Sequence, residues 1–303
     1  MKEFLKVELI GMSFFKKKGA AVLQLLCGLM ASSILSSEES SHAAFGNFSI
    51  ATSQQISPLV SFGQNIIDKG QLQIFLFGDA FIGVNSYLTD VIPYVVYGVR
   101  DDLSIACVIP FSPGNKYEDS HSSGIEDIYP QIEYSIYTMV GPYFEDQSTL
   151  LAALILPTGS SSKSPSTGAG SSSFFLGSTF SRTTYNWYFF TSPGVVLTTS
   201  KKGTRFGDQI LYQCGIARNI PSPVGWIFAS MLELDGQYIW KNKINGIINS
   251  NSGGNIIYLT PSLWLSSKKI IIQFGVGYPI IQSLFGNQLK QQFSLDIDLG
   301  VTF

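Results

Sequence analysis

Five acidic residues stand out by spacing: Glu133, Glu233, Asp235, Asp296 and Asp298. Glu233 and Asp235 are separated by one residue, as are Asp296 and Asp298. In an extended chain that spacing points both carboxylates of a pair to the same face. Carboxylates collected on one polar face can filter ions or bind a solute. Any one of them, taken singly, is more simply a solvated polar residue balanced by its neighbours. Glu233, Asp235, Asp296 and Asp298 together are the candidates for a polar constriction, although the two pairs sit on segments that need not be adjacent. Asp208 lies at the mouth of another segment, facing either way.

Other chemistry finds little support. A serine hydrolase needs a histidine to activate its nucleophile and a third group to orient it. Downstream of residue 43 only His121 is available, in the polar stretch Asp119-Ser120-His121-Ser122-Ser123 expected to be a loop. No motif supports paired carboxylates for glycoside hydrolysis. Gly168-Ala169-Gly170 lacks the lysine and the strand-turn-helix setting of a phosphate loop. Cys27, Cys107 and Cys214 and two histidines are too few for a Cys/His metal site. Cys107 and Cys214 read as small apolar strand residues, although one bridge is open to them in an oxidising compartment. The expectation is a protein that is not an enzyme, with no cofactor and no metal.

The elements that position the carboxylates are strands. Over 292–303, Phe293, Leu295, Ile297, Leu299, Val301 and Phe303 alternate with Gln292, Ser294, Asp296, Asp298, Gly300 and Thr302. That is strict period-2 patterning, apolar on one side and polar on the other. It runs longer than the five or six residues of an ordinary soluble strand, at about the 9–11 needed to cross a bilayer. Similar patterns recur over 207–218, 226–240 and 270–280, and more weakly over 103–111 and 127–137. Twelve segments are expected: 71–82, 91–99, 103–111, 125–138, 149–157, 173–181, 187–199, 207–219, 225–240, 255–265, 270–280 and 291–303. Short turns alternate with long Ser-, Gly- and Asn-rich loops at 112–124, 158–172 and 241–254. Charged residues make up 13% of the 303 residues and apolar ones 45%, with a formal net charge of −2. Low charge without a row of apolar helices suits a barrel, whose lipid-facing positions exclude charge while alternate positions stay polar. No basic block points to nucleic acid.

The fold expected is therefore all-β: a transmembrane, antiparallel, up-and-down β-barrel of about twelve strands spanning 70–303. Closure removes strand edges that lipid cannot satisfy. A twelve-stranded lumen is intermediate between side-chain-filled and open barrels, so it should be narrow or partly plugged. Lys16, Lys17 and Lys18 precede an apolar stretch over 19–35 and a small-x-small site at Ser41-His42-Ala43. Residues 1–43 thus read as an upstream extension and a cleavable signal peptide, cut after Ala43 or Ala44, with Met1 or Met12 as the start. Residues 44–69 are either a periplasmic lead-in or a small plug. Tyr97, Tyr137, Trp187, Trp226 and Trp264, with Phe111 and Trp240 at the other end, suit interfacial girdles. Trp264, however, has the parity of the polar face. Phe303, last in the sequence on an apolar position, is the expected assembly signal.

The hairpin Tyr97-Gly98-Val99-Arg100-Asp101-Asp102-Leu103-Ser104, the strand end Leu154-Ile155-Leu156-Pro157-Thr158-Gly159, the Gly/Ser loop after it, Gly207-Asp208 and the terminal Phe303 resemble, in this order, outer-membrane transporters of the phenol-degradation meta-pathway type. The resemblance covers most of 70–303. It implies a single barrel passing hydrophobic or aromatic small molecules, and it supplies no catalytic residues. The expected partners are the lipid bilayer of a Gram-negative outer membrane, the outer-membrane assembly machinery and a small-molecule solute, with no nucleic acid. The alternative function is display of the extracellular loops to a partner.

Overall fold

The computed structural model describes residues 46–303 apart from Ser49 and Lys202. The expected export segment lies outside the described residues. Twelve strands form the wall, eleven of them 12–15 residues long and β3 only six: β1 (Leu72–Gly83), β2 (Ser86–Arg100), β3 (Leu103–Val108), β4 (Tyr129–Val140), β5 (Phe144–Ile155), β6 (Ser173–Thr184), β7 (Trp187–Thr198), β8 (Gln209–Ile220), β9 (Trp226–Ile239), β10 (Gly254–Ser267), β11 (Ile270–Leu284) and β12 (Gln291–Thr302). Each pairs antiparallel with its neighbours in sequence, and β1 pairs with β12 as well as with β2. The sheet is thus a closed antiparallel barrel of twelve strands, as the alternating pattern predicts. No described helix is long and apolar enough to cross a membrane. Twelve residues at about 3.3 Å each, tilted by roughly 40°, span about 30 Å, enough for the ~25 Å apolar band of such barrels.

Side-chain exposure follows the alternation. On β12, Ile297, Leu299 and Val301 are 41–43% exposed, whereas Asp296 and Asp298 are 1% and 8% exposed. The outer face carries isoleucine, leucine, valine and aromatics; the inner face carries the acids, amides and hydroxyls. Tyr97, Tyr137, Trp226, Phe111 and Trp240 lie exposed near strand ends. Trp264 departs from the girdle expectation: it points inward, 1% exposed, and its Nε1 donates to Ser266 Oγ at 2.9 Å. Its even-numbered parity on β10 dictates this. Cys107 and Cys214 are free and exposed.

Some boundaries differ from the sequence expectation. β2 begins at Ser86, joined to β1 by a tight turn through Val84 and Asn85, whose φ of 56° suits asparagine. β5 begins at Phe144. Residues 112–124, expected to be a loop, form a hairpin of Phe111–Tyr117 and Ser120–Ile125 that extends the wall beside β2. Its strands are too polar and Gly-rich for an apolar alternation to reveal them. A four-stranded sheet of residue pairs from 200–205 and 243–248 rises on the same long-loop rim.

Residues 46–71 run inside the barrel. Asn47 Nδ2 donates to Thr184 O at 2.9 Å and Trp187 O at 3.1 Å, on the short-turn rim. The chain rises past a single 3-10 turn at Thr52–Gln54. It crosses the lumen at mid-height over 59–65 and returns to the short-turn rim, where Lys69 N donates to Asp101 Oδ1 at 2.9 Å. At its exit Gly70 N and Gly98 N bond to Gly98 O and Gln71 O at 2.8 and 3.0 Å. A Cβ on Gly98 would collide with Asp68 O, so only glycine lets the segment lie this close to the wall.

Candidate functional site

The crossing segment is gripped from two nearly opposite walls. From β9, Glu233 accepts hydrogen bonds from Leu59 N (2.8 Å), Val60 N (3.3 Å) and Ser61 N (3.3 Å). Ser61 Oγ lies 3.1 Å from Glu233 Oε2 and 2.7 Å from Asp235 Oδ1, and Thr260 Oγ1 donates to Asp235 Oδ2 at 3.1 Å. From β4, Glu133 accepts from Gln64 N (3.0 Å), Asn65 N (3.1 Å) and Thr149 Oγ1 (2.6 Å). Between these grips Phe62 N donates to Gln213 Oε1 at 3.2 Å. Glu133 and Glu233 are 1% and 0% exposed. A buried carboxylate needs donors, and a loop with no strand partner needs acceptors for its amides; each satisfies the other.

The loop turns sharply between the grips. Gly63 and Gln64 both lie in the left-handed region, at φ of 89° and 67°. The conformation is unfavourable for glutamine. It is held by the Gln64 amide bond to Glu133 and by Gln64 Nε2 donating to Thr179 Oγ1 at 3.1 Å. A Cβ at Gly63 would meet Thr179 Cγ2, so the residue is restricted by both space and φ.

The remaining acids form a row rather than a grip. Asp79 on β1 stands directly opposite Asp90 on β2 and Asp296 on β12. Ser294 Oγ donates to Asp296 Oδ2 at 2.8 Å, and Tyr94 Oη donates to Asp298 Oδ2 at 3.3 Å. One oxygen each of Asp79, Asp90, Asp296 and Asp298 is buried without a protein donor. β9 and β12 are separated by β10 and β11, so the two pairs of acids stand on non-adjacent strands. Just outside the strands at the long-loop rim, burial and then the nearby Asp90 carboxylate push Glu126 up to about 8.

Asp79 and Asp90 are not evident in the sequence. On β1 both faces are apolar, with Ile74 and Leu76 outside and Phe75 and Phe77 inside, so no polar alternation marks the lumen side. The signal was parity alone. The basic residues of the twelve strands are Arg100, Arg182 and Arg218. Arg100 and Arg182 are largely exposed and paired with Asp102 and Asp146, and Arg218 lies over the Trp187 ring at 4.7 Å. The inner faces of the strands therefore carry acids and no facing base. Asp208 staples the long-loop rim instead, accepting from Thr198 N at 2.8 Å and from Arg205 Nη2 at 2.8 Å. His121 is exposed, paired with Lys116 across the hairpin of the long-loop rim.

Between the crossing segment and the wall lies a cavity of about 470 Å³. Phe62, Phe75, Phe77, Tyr94, Tyr129 and Phe175 give it an aromatic lining, with Ile92, Val108 and Leu211 adding aliphatic surface. Phe75 stacks on Tyr94 with ring centroids 4.5 Å apart, and Phe62 meets Phe175 edge-on at 4.8 Å. Among the described residues, no group of three or more His, Cys, Asp or Glu side chains is arranged to hold a metal ion.

No protein-family model and no curated protein matches the chain by sequence. Its fold matches an outer membrane channel from Pseudomonas putida F1 with a TM-score of 0.66 at 14% identity, over 82% of this chain and 100% of that one. Weaker likenesses include the NanC porin, at TM-score 0.44 and 13% identity over 76% of this chain and 98% of that chain. The β domain of a Bordetella autotransporter gives TM-score 0.44 and 11% identity, over 78% and 100%. What the Pseudomonas channel shares with this chain is its fold, a closed antiparallel β-barrel.

Proposed function

We propose that this chain is a passive outer-membrane channel for small hydrophobic or aromatic solutes. On this reading a cleavable signal in residues 1–43 exports it, 44–69 serve as a plug, and 70–303 form the pore. The observation that carries the reading is the aromatic cavity beside the crossing segment, inside a barrel whose outer face is apolar. Phe75, Phe77 and Tyr94 on its inner wall offer apolar and aromatic solutes a contact surface. The resemblance to transporters of the phenol-degradation meta-pathway type points the same way. Glu133, Glu233 and Asp235 then hold the plug, while Asp296 and Asp298 face the passage as selectivity residues. The test is solute entry into liposomes carrying the purified protein. A small aromatic solute should enter faster than a sugar of similar size, and deleting 55–66 should raise both rates. Entry of neither solute, with or without the deletion, would overturn the proposal.

Phe303 is proposed as the residue read by the assembly machinery. Its backbone closes the barrel, exchanging hydrogen bonds with Leu72 at 2.8 and 3.2 Å, while its ring is 70% exposed. Little packing is at stake, so deleting Phe303 should lower the heat-modifiable folded form in cells while the purified variant still refolds. Normal assembly in cells would remove the signal role. A second reading, display to a partner, has one observation in its favour: Ile247 and Ile248 on the long-loop rim sheet are 74% and 59% exposed. Loss of cell-surface binding on replacing both with serine, with solute entry unchanged, would favour display.

A further inference from the structure

The cavity specifies more about its occupant than size and apolarity. Its walls include two carboxylates, Asp298 and Glu145, and no lysine, arginine or histidine. Asp298 is 8% exposed, and its Oδ1 has no hydrogen-bond donor. Its other oxygen is held by Tyr94 Oη, whose ring stacks on Phe75. A buried acceptor is thus fixed in place at the edge of an aromatic wall. Phe77, directly opposite Asp298 across the β1–β12 seam, adds another ring. Next along the same face come Asp296, Asp79 and Asp90, with Asp79 directly opposite each of the other two and no basic strand residue beside them.

Such a surface suits a ligand carrying both an apolar body and a positive charge. Aromatic faces attract ammonium groups through their quadrupole, and a desolvated carboxylate adds a direct charge-assisted hydrogen bond. It disfavours anions, which would find carboxyl groups and no basic residue in the cavity wall. A neutral aromatic gains the apolar contact alone and leaves Asp298 Oδ1 unsatisfied. Resting on the channel reading above, we propose that the lumen cavity is a binding site for hydrophobic organic cations of the arylalkylammonium class, with Asp298 as the residue that engages the ammonium group.

The test uses three probes of similar size: benzylammonium, benzyl alcohol and benzoate. Each is titrated calorimetrically into the full-length protein in detergent, with wild type and Asp298→Asn in the same micelles so that partitioning into detergent cancels. Benzylammonium should bind saturably and about tenfold more tightly than benzyl alcohol, and benzoate should not bind. Asp298→Asn should remove about that tenfold preference, and Asp298→Glu should restore part of it. Equal affinity for the ammonium and the alcohol on wild type overturns the proposal without recourse to any variant, as does absence of saturable benzylammonium binding. Because binding is read without transport, the outcome is separable from liposome entry. Entry of neutral aromatics with no ammonium preference would leave the channel reading standing and remove this one. Ammonium binding without entry of any solute would do the reverse.

Discussion

The lumen holds two sets of acids, glutamates and aspartates, that share the inward-facing parity yet differ in surroundings. Glu133 and Glu233 are saturated with donors, chiefly backbone amides of residues 59–65. Asp79, Asp90 and Asp296, across the β2–β1–β12 wall, each keep an oxygen without a donor. What distinguishes them is the path of the crossing segment, which touches β9 and β4 at mid-height. Parity places an acid in the lumen; the segment decides whether it becomes an anchor or stays available to a solute.

The largest effect should come from removing an anchor. Glu233→Ala leaves three backbone amides of the segment without their acceptor. A loss of about 3 kcal/mol is expected in denaturant unfolding, together with a several-fold rise in single-channel conductance as the segment comes free. Asp79→Asn should change neither appreciably, and equal effects from the two would erase the distinction between anchor and open acid.

A second contrast sets the lumen against the lipid face. Ile297, 43% exposed between two buried aspartates, should face lipid. Ile297→Arg is expected to cost roughly 2–4 kcal/mol in unfolding from bilayers, and Asp296→Asn little. Comparable losses would mean that the facing of β12 is inverted.

The smallest effect concerns Glu126, at the edge of the acid row. Its value is raised from 4.5 to about 8, by burial first and the Asp90 carboxylate next. For a raised carboxyl, the stabilising contribution is complete below pH 4.5 and is lost as the pH climbs through about 8. Amide exchange in 126–128 should therefore quicken between pH 6 and pH 9, after correction for intrinsic rates. Glu126→Gln should abolish the excess, and a persistent excess in that variant would assign the effect to another group.

Much of the wall was legible because lipid and lumen impose opposite polarity on alternate residues. That is why 292–303 alone reveals a strand and the facing of Asp296 and Asp298. Where both faces are apolar, as around Asp79 on β1, or both polar, as in the hairpin at 111–125, the pattern carries no sign. The described residues of 46–69 carry no such sign for a different reason. Their backbone amides pair with side chains up to 174 positions away, and no local periodicity encodes a partner that distant. Trp264 combines a strand-end position, which suits a girdle, with lumen parity, and parity decides its facing because a one-residue shift would turn the whole strand over.

The seam between β1 and β12 also bears on how the barrel is made. Gln54 and Gln73 both donate to Thr302 Oγ1, and Gln73 Nε2 reaches Ser53 O at 2.7 Å. One hydroxyl on the last strand thus joins the first strand and the inner segment at a single knot. That knot exists only once the two ends of the sheet have met, and only with the segment already inside. Locking the ring and seating its contents are therefore coupled: parting β1 from β12 also pulls apart bonds that hold the inner segment.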